Sequence, residues 1–232
     1  MAESEKIESF RLSDCIRPSS SKKGRLRTRV RALLRRFILE LRILMLDTRD
    51  VKSLTNLYRG CSAEDVLEKV YFEAKDKRTI VELGLGDAYT TSVLLLACRD
   101  GMGHLWTVDW CEDLDSNLNP VPGRCRRAIK RIKKLGLENY WSFYKGDFFE
   151  FPEKWSSTRK IDFLFVDEDG LCDMEKLLEK YDPLISSNGV IYVHNVGVRE
   201  KTRKEVLSFC TKHLWTYRFE NTRCGLAIIK RT

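Results

Sequence analysis

The stretch TIVELGLGDAYTTSVLLLACRD, residues 79–100, decides the fold. Its opening run, Thr79–Gly84, is apolar apart from Glu82, as expected of a strand buried on both faces. Gly84 and Gly86 then let the backbone turn sharply and approach a ligand closely. A helix is expected from about Ala88 to Arg99, with its N-terminus against that turn. Strand, glycine turn and helix in this order open a parallel α/β sheet. A dinucleotide fingerprint would need a third glycine at position 89; Tyr89 stands there, which argues against a nicotinamide cofactor.

Outward from this unit the alternation continues. Strands are expected at Leu105–Trp110, Tyr140–Tyr144, Ile161–Asp167 and Gly189–Val196. Helices are expected near Ala63–Ala74, Arg124–Leu135, Asp173–Leu184 and Glu200–Thr211. The last two strands, His213–Glu220 and Gly225–Lys230, are separated by Asn221–Cys224, too short for a crossover helix, so they should form an antiparallel hairpin at one edge. The fold class is therefore α/β: a Rossmann-like, mostly parallel seven-stranded sheet with a C-terminal antiparallel hairpin and an N-terminal helical extension.

The chain has 232 residues and a formal charge of +8. Residues 1–60 hold 15 Lys and Arg against 7 Asp and Glu, and residues 61–232 hold 27 of each. The basic character thus belongs to one end. Residues 1–23 read as a flexible leader, 24–60 as a basic amphipathic helical extension and 61–232 as the main domain. Within the extension, Leu26, Val30, Leu33, Leu34, Phe37, Leu41 and Leu44 recur at steps of three and four. The opposite face carries Arg25, Arg27, Arg29, Arg31, Arg35, Arg36 and Arg42. Three roles compete for it: a lid or homodimer helix packed on the body, a surface for nucleic-acid phosphates, and a surface for anionic membranes. The run Phe37–Leu46 resembles a signal core in length, but Glu40 and Arg42 interrupt it. No run reaches the ~18 apolar residues of a membrane span. Eight cysteines occur without a CxxC pair or zinc spacing, which fits reduced thiols and a cytoplasmic location.

Acidic residues mark the strand ends. Asp109 follows Gly86 by 23 residues and could accept both hydroxyls of a ribose lying over the glycine turn. Asp147 ends the third strand within reach of an adenine edge, and Asp167 ends the fourth. Together with Glu82 these acids converge on the crevice where open α/β sheets bind ligands.

On these residues the chain resembles the class I S-adenosylmethionine-dependent methyltransferases over about residues 61–232. That resemblance implies a cofactor site of Glu82, Gly84 and Gly86 at the methionine end, Asp109 at the ribose, and Asp147 near the adenine with Trp110 as a stacking wall. The stretch FLFVDEDGLCDMEKLLEKYDPLISSNGVIYVHNV, from Phe163, is most similar to the class-24 methyltransferase family. Asp167, Asp169 and His194 match its pattern, whereas Gly170 and Asn195 stand where that family has His and Asp. The stretch is also similar to catechol-type O-methyltransferases, which implies a divalent cation such as Mg²⁺ on Asp167, Asp169 and Asn195.

Two chemistries stay open for Asp167 and His194 as catalytic residues. A metal could lower the pKa of an acceptor hydroxyl, or His194 could take its proton directly. The expected activity is methyl transfer from S-adenosylmethionine to an oxygen of a small-molecule or sugar-like acceptor. Methylation of RNA held by the basic arm is one alternative. A binding protein that kept the fold without the chemistry is another. The helix Arg124–Lys134 and the run Arg199–Lys204 add basic patches suited to an anionic substrate.

Overall fold

The structure is a computed structural model that describes residues 50–111, 123–155, 159–168 and 172–231. The chain divides into two units, Met1–Leu41 and Arg42–Thr232, and every element below belongs to the second. The basic helix expected between Arg25 and Leu46 lies outside the described residues. Among the described residues no helix is long and apolar enough to cross a membrane.

The elements run α1 (Val51–Leu57), α2 (Leu67–Ala74), β1 (Thr79–Leu83), α3 (Tyr89–Gly101), β2 (His104–Asp109), α4 (Arg124–Lys134), β3 (Trp141–Lys145), α5 (Phe151–Lys154), β4 (Ile161–Val166), α6 (Met174–Tyr181), β5 (Ile185–His194), α7 (Glu200–His213), β6 (Trp215–Glu220) and β7 (Leu226–Arg231). The sheet has seven strands in the order β3-β2-β1-β4-β5-β7-β6. Strands β1 to β5 pair in parallel, and β7 is antiparallel to both β5 and β6. The expected hairpin therefore closes one edge.

Strand parity sorts the core into two layers. Val81, Leu83, Leu164, Val166, Ile191, Val193, Ala227 and Ile229 share one cluster with Leu177, Leu178, Val206 and Phe209 of α6 and α7. Alternate residues, among them Ile80, Glu82, Phe163, Phe165, Tyr192 and His194, point to the other face. There α2 buries Leu67, Val70, Tyr71 and Ala74, a helical stripe. Helix α3, packed beside it, buries every residue from Thr90 to Cys98. Burial on both faces explains the unbroken apolar runs of β1 and β4.

Two of the expected elements start four residues away from the sequence expectation. Strand β5 begins at Ile185 rather than Gly189, because Ser186–Asn188 continue the strand past a register shift against β4. Helix α2 begins at Leu67, since Ala63–Val66 form turns instead.

The order of strands reverses at β1, which lies between β2 and β4. The ladder runs one residue beyond the strand ends: Gly84 N–H donates to Val108 O at 2.9 Å, and Asp167 N–H donates to Leu83 O at 2.9 Å. At Gly84, with φ +103°, an added Cβ would lie 2.4 Å from the Asp167 carbonyl oxygen. Gly84→Ala is expected to lower unfolding free energy by at least about 3 kcal/mol, from the left-handed backbone plus overlap with a fixed carbonyl. Gly136→Ala, with φ +66° but open space around the new methyl, should cost only about 1 kcal/mol. Urea midpoints of the two variants check the difference.

Candidate active site

The crevice opens at the carboxyl ends of β1, β2 and β4, beside the strand reversal. Its floor is the turn after β1. Gly86 has φ +51°, and an added Cβ there would meet the Arg124 guanidinium at 3.4 Å. Arg124 also lies 3.8 Å from the Asp87 carboxylate. Arg131, nearly buried, donates to the Asp87 carbonyl and stacks over the Tyr89 ring at 5.0 Å. Ala88 takes a left-handed conformation, φ 60°, at the start of α3 without a side-chain cap. Gly84 and Gly86 carry no side chains and are only half-buried at this turn, which suits close approach of a flat, polar ligand.

Asp109 sits at the tip of β2, half-buried. One carboxylate oxygen accepts the Leu85 N–H at 2.7 Å, and the other accepts the Cys111 N–H at 2.5 Å. The acid thereby ties the β2 tip to the glycine turn. A carboxylate has about four acceptor sites, so two bonds leave room for hydroxyls of a ligand. Trp110, next in line, is 48% exposed, and its ring centroid lies 6.4 Å from that of Phe148. Asp147 accepts the Phe149 N–H at 2.5 Å, which shapes the turn that presents Phe148. The Tyr181 hydroxyl donates to the Phe148 carbonyl at 3.0 Å and anchors the same turn to α6. Phe148 is not singled out by the sequence, and Arg124 stands there only as one residue of a basic helix. The only signal for Phe148 was its place directly after Asp147, and for Arg124 its place at the head of a helix that reads as a solvated basic face.

Glu82 does not reach the crevice surface. It is fully buried under the turn and accepts the Thr107 hydroxyl at 2.9 Å. Burial pushes its pKa up to about 8, against the pull of the Thr91 and Thr107 hydroxyls and with help from the negative charges of Asp167 and Asp109. Glu82 is thus a neutral acid at pH 7.

Asp167 follows β4 and meets two partners from the end of β5. His194 Nδ1 lies 2.8 Å from its Oδ1, and Asn195 Nδ2 donates to the same oxygen at 3.0 Å. No hydrogen bond to Oδ2 is formed among the described residues. The Asp167 side chain keeps 29% exposure, whereas that of His194 keeps 1%. His194 stacks under Phe165, behind the carboxylate rather than in the cleft. Burial opposes charge on both groups, but their mutual attraction wins. Asp167 stays below the usual carboxylate range, helped by Arg124 and Asn195, and His194 is raised well above the usual imidazole range. Asn195 takes a left-handed backbone, φ 69°, which asparagine tolerates better than most residues.

Gly197 and Gly225 let the loop after β5 touch the turn between β6 and β7. A Cβ on Gly225 would lie 2.1 Å from the Gly197 nitrogen. This contact holds the Asn195 turn against the hairpin.

Asp167 and Asn195, the two described residues of the expected cation site, do not by themselves make one. Asp167 Oδ1 is already shared by two N–H donors, and the imidazolium and Arg124 bring positive charge to the carboxylate. Asn195 turns its NH2 group toward Asp167. Among the described residues no group of three or more His, Cys, Asp or Glu side chains could hold a metal. Asp169 and Gly170 lie outside the described residues.

One sequence expectation is corrected. Cys111 and Cys125 are not separate thiols but a disulfide, with Cα atoms 5.6 Å apart. The 14-residue spacing gave no sign of this, because it arises only when α4 packs against the β2 tip.

A family model for a methyltransferase domain, the class-24 model, matches residues 81–196. The chain belongs to this methyltransferase family. No curated protein matches the sequence. Among solved structures, the O-methyltransferase TomG of Streptomyces achromogenes, in complex with S-adenosylmethionine, is 16% identical. The likeness covers 73% of this chain and 80% of that one, with a TM-score of 0.57. A Bacillus cereus O-methyltransferase, in complex with the demethylated cofactor, is 16% identical over 95% of both chains with a TM-score of 0.57. A Podospora anserina methyltransferase, also bound to the demethylated cofactor, is 16% identical over 94% of this chain and 98% of that one, with a TM-score of 0.56. At such identities the likeness shows the shared fold.

The raised Glu82 pKa makes a stability prediction for this methyltransferase. The folded state holds the proton that an unfolded glutamic acid releases near its ordinary value of 4.5. Its contribution is therefore complete below that value and is lost as pH rises through about 8. Glu82→Gln keeps the shape without the titration. The stability of the variant relative to the parent should climb by a few kcal/mol between about pH 5 and about pH 9, as read by urea unfolding at the two pH values. A flat difference would mean that Glu82 is charged in the fold.

Proposed function

We propose that the chain transfers a methyl group from S-adenosylmethionine to an oxygen of a small molecule. The observation that carries this is the union of the Gly84–Gly86 cradle with the Asp109 carboxylate at the adjacent strand tip, joined by the 2.7 Å bond to Leu85. Three structural neighbours named for methyl transfer, each holding the cofactor or its product, support it.

Bound here, the cofactor supplies an electrophilic methyl on a sulfonium. Asp109 accepts the ribose hydroxyls, and the glycine-turn backbone meets the amino-acid end. Trp110 and Phe148 form a tilted aromatic pair, and the exposed Trp110 ring offers a face against which the adenine can lie. Asp167, half-exposed above β4, holds the acceptor hydroxyl through Oδ2. As oxygen attacks the methyl carbon, its proton becomes strongly acidic, so a carboxylate of low pKa suffices to receive it. With the cofactor bound, Asp167 would receive the acceptor's proton as the hydroxyl oxygen takes the methyl group and the sulfonium leaves as a neutral thioether. His194 is a positioning residue: its Nδ1–H holds Oδ1 and so aims Oδ2 outward. With an imidazolium behind the carboxylate, this site works without a divalent ion.

Titration calorimetry with S-adenosylmethionine tests the reading. Asp109→Asn keeps the size but removes the charge and one of the two oxygens that accept backbone N–H groups, and affinity should fall about 100-fold. Methyl transfer to a hydroxyl acceptor should persist unchanged in EDTA, whereas loss of turnover restored by Mg²⁺ would overturn the role given to Asp167.

A further inference from the structure

Cys111 and Cys125 have no part in the chemistry above, yet their bond links the segment just beyond the β2 tip to the first turn of α4. Cys111 stands two residues beyond Asp109, and its N–H is one of the two backbone donors that grip that carboxylate. It does so from a left-handed backbone, φ 54°, which residues bearing a Cβ disfavour. A conformation of this kind persists only where the surroundings enforce it. Cys125 lies in the first turn of α4, a helix whose start, Gly123, offers no side-chain cap. Its neighbour Arg124 leans on Gly86 and faces Asp87. The sulfur bridge therefore joins the acid wall of the crevice to the helix that borders the glycine turn.

The accessibility of the pair differs from that of the core thiols. Cys111 and Cys125 are half-buried, within reach of a small thiol, whereas Cys98 and Cys210 are sealed in the core. Cys61, Cys172 and Cys224 are also free cysteines.

We propose that Cys111 and Cys125 form a thiol–disulfide switch on the cofactor crevice, with tight nucleoside binding in the oxidised form and weak binding in the reduced form. The inference rests on the reading of Asp109 as the ribose-binding acid. A low-molecular-weight disulfide supplies the oxidising equivalents. One cysteine thiolate attacks it and releases one small thiol, and the second cysteine thiolate then displaces the other small thiol from the mixed disulfide. Two electrons pass to the small disulfide, which leaves as two thiols, and the protein gains one S–S bond. The reverse exchange with two small thiols reopens it. Reduction frees Cys111 from its enforced left-handed backbone. Asp109 then loses a fixed N–H donor, and the start of α4 loses its tether to β2.

The test uses the full chain equilibrated in glutathione buffers from reducing to oxidising, titrated with S-adenosylhomocysteine by calorimetry. Alkylation and mass spectrometry of the same samples follow the state of each cysteine. Affinity should rise about tenfold or more as Cys111 and Cys125 become linked, with one midpoint for both readouts. Cys125→Ser and Cys111→Ser should bind like the reduced parent in every buffer. Equal affinity in the reduced and oxidised parent would overturn the switch and leave the cofactor reading intact. So would alkylation of both cysteines in the oxidised sample, or a redox response that survives in Cys125→Ser. Absence of binding in all buffers would remove the cofactor reading and the switch together.

Discussion

The approach of Gly84 to the Asp167 carbonyl governs this site. Two neighbouring parallel strands end side by side, and beyond their ends each chain must turn away. Here β1 turns so closely beneath β4 that no side chain fits between them. The two hydrogen bonds past the strand ends, Gly84 to Val108 and Asp167 to Leu83, stitch three strand tips into one rim. Asp109, Asp167 and the glycine turn are therefore fixed relative to one another by backbone rather than by flexible side chains. Orientation of this kind is gained at folding, so little remains to be organised when a ligand arrives.

Asp109 shows how one residue serves structure and binding at once. Its two bonds to Leu85 and Cys111 are charge-assisted and hold the carboxylate in a single pose. The oxygens keep acceptor capacity toward the crevice. The disulfide acts one step further out, on the backbone that presents one of those donors.

Periodicity made the sheet legible. The apolar runs of β1 and β4 could only belong to strands covered on both faces, and the four-residue gap before β7 forced the hairpin. The strand-end acids were readable because strand order dictates where carboxyl ends meet. The orientation of His194 was not readable in the same way. A histidine at a strand end can face the cleft or the core, and which it does depends on parity counted from a strand start that lay hidden in Ser186–Asn188. Those residues look like a turn by composition, yet they continue the strand through a register shift. Likewise the Cys111–Cys125 pairing and the Trp110–Phe148 contact depend on how a helix and two loops pack around the rim. No local sequence signal encodes such contacts between distant segments.

Glu82 and Asp167 carry the last step of the argument, because depth assigns them different charges. They lie on one face of adjacent strands. Glu82 pairs in register with Phe165, so Asp167 is two residues, roughly 7 Å, further along. Under the turn, Glu82 has hydroxyl neighbours and no cation, and burial keeps it protonated. At the rim, Asp167 has an imidazolium, an amide and the field of Arg124, and it stays ionised despite its own desolvation. Each state reinforces the other, since the charge on Asp167 makes ionisation of Glu82 costlier. Divergent environments for two nearby carboxyls separate an acid from a base in many active sites. Here the same divergence separates a neutral support beneath the turn from a carboxylate able to take a proton at the rim.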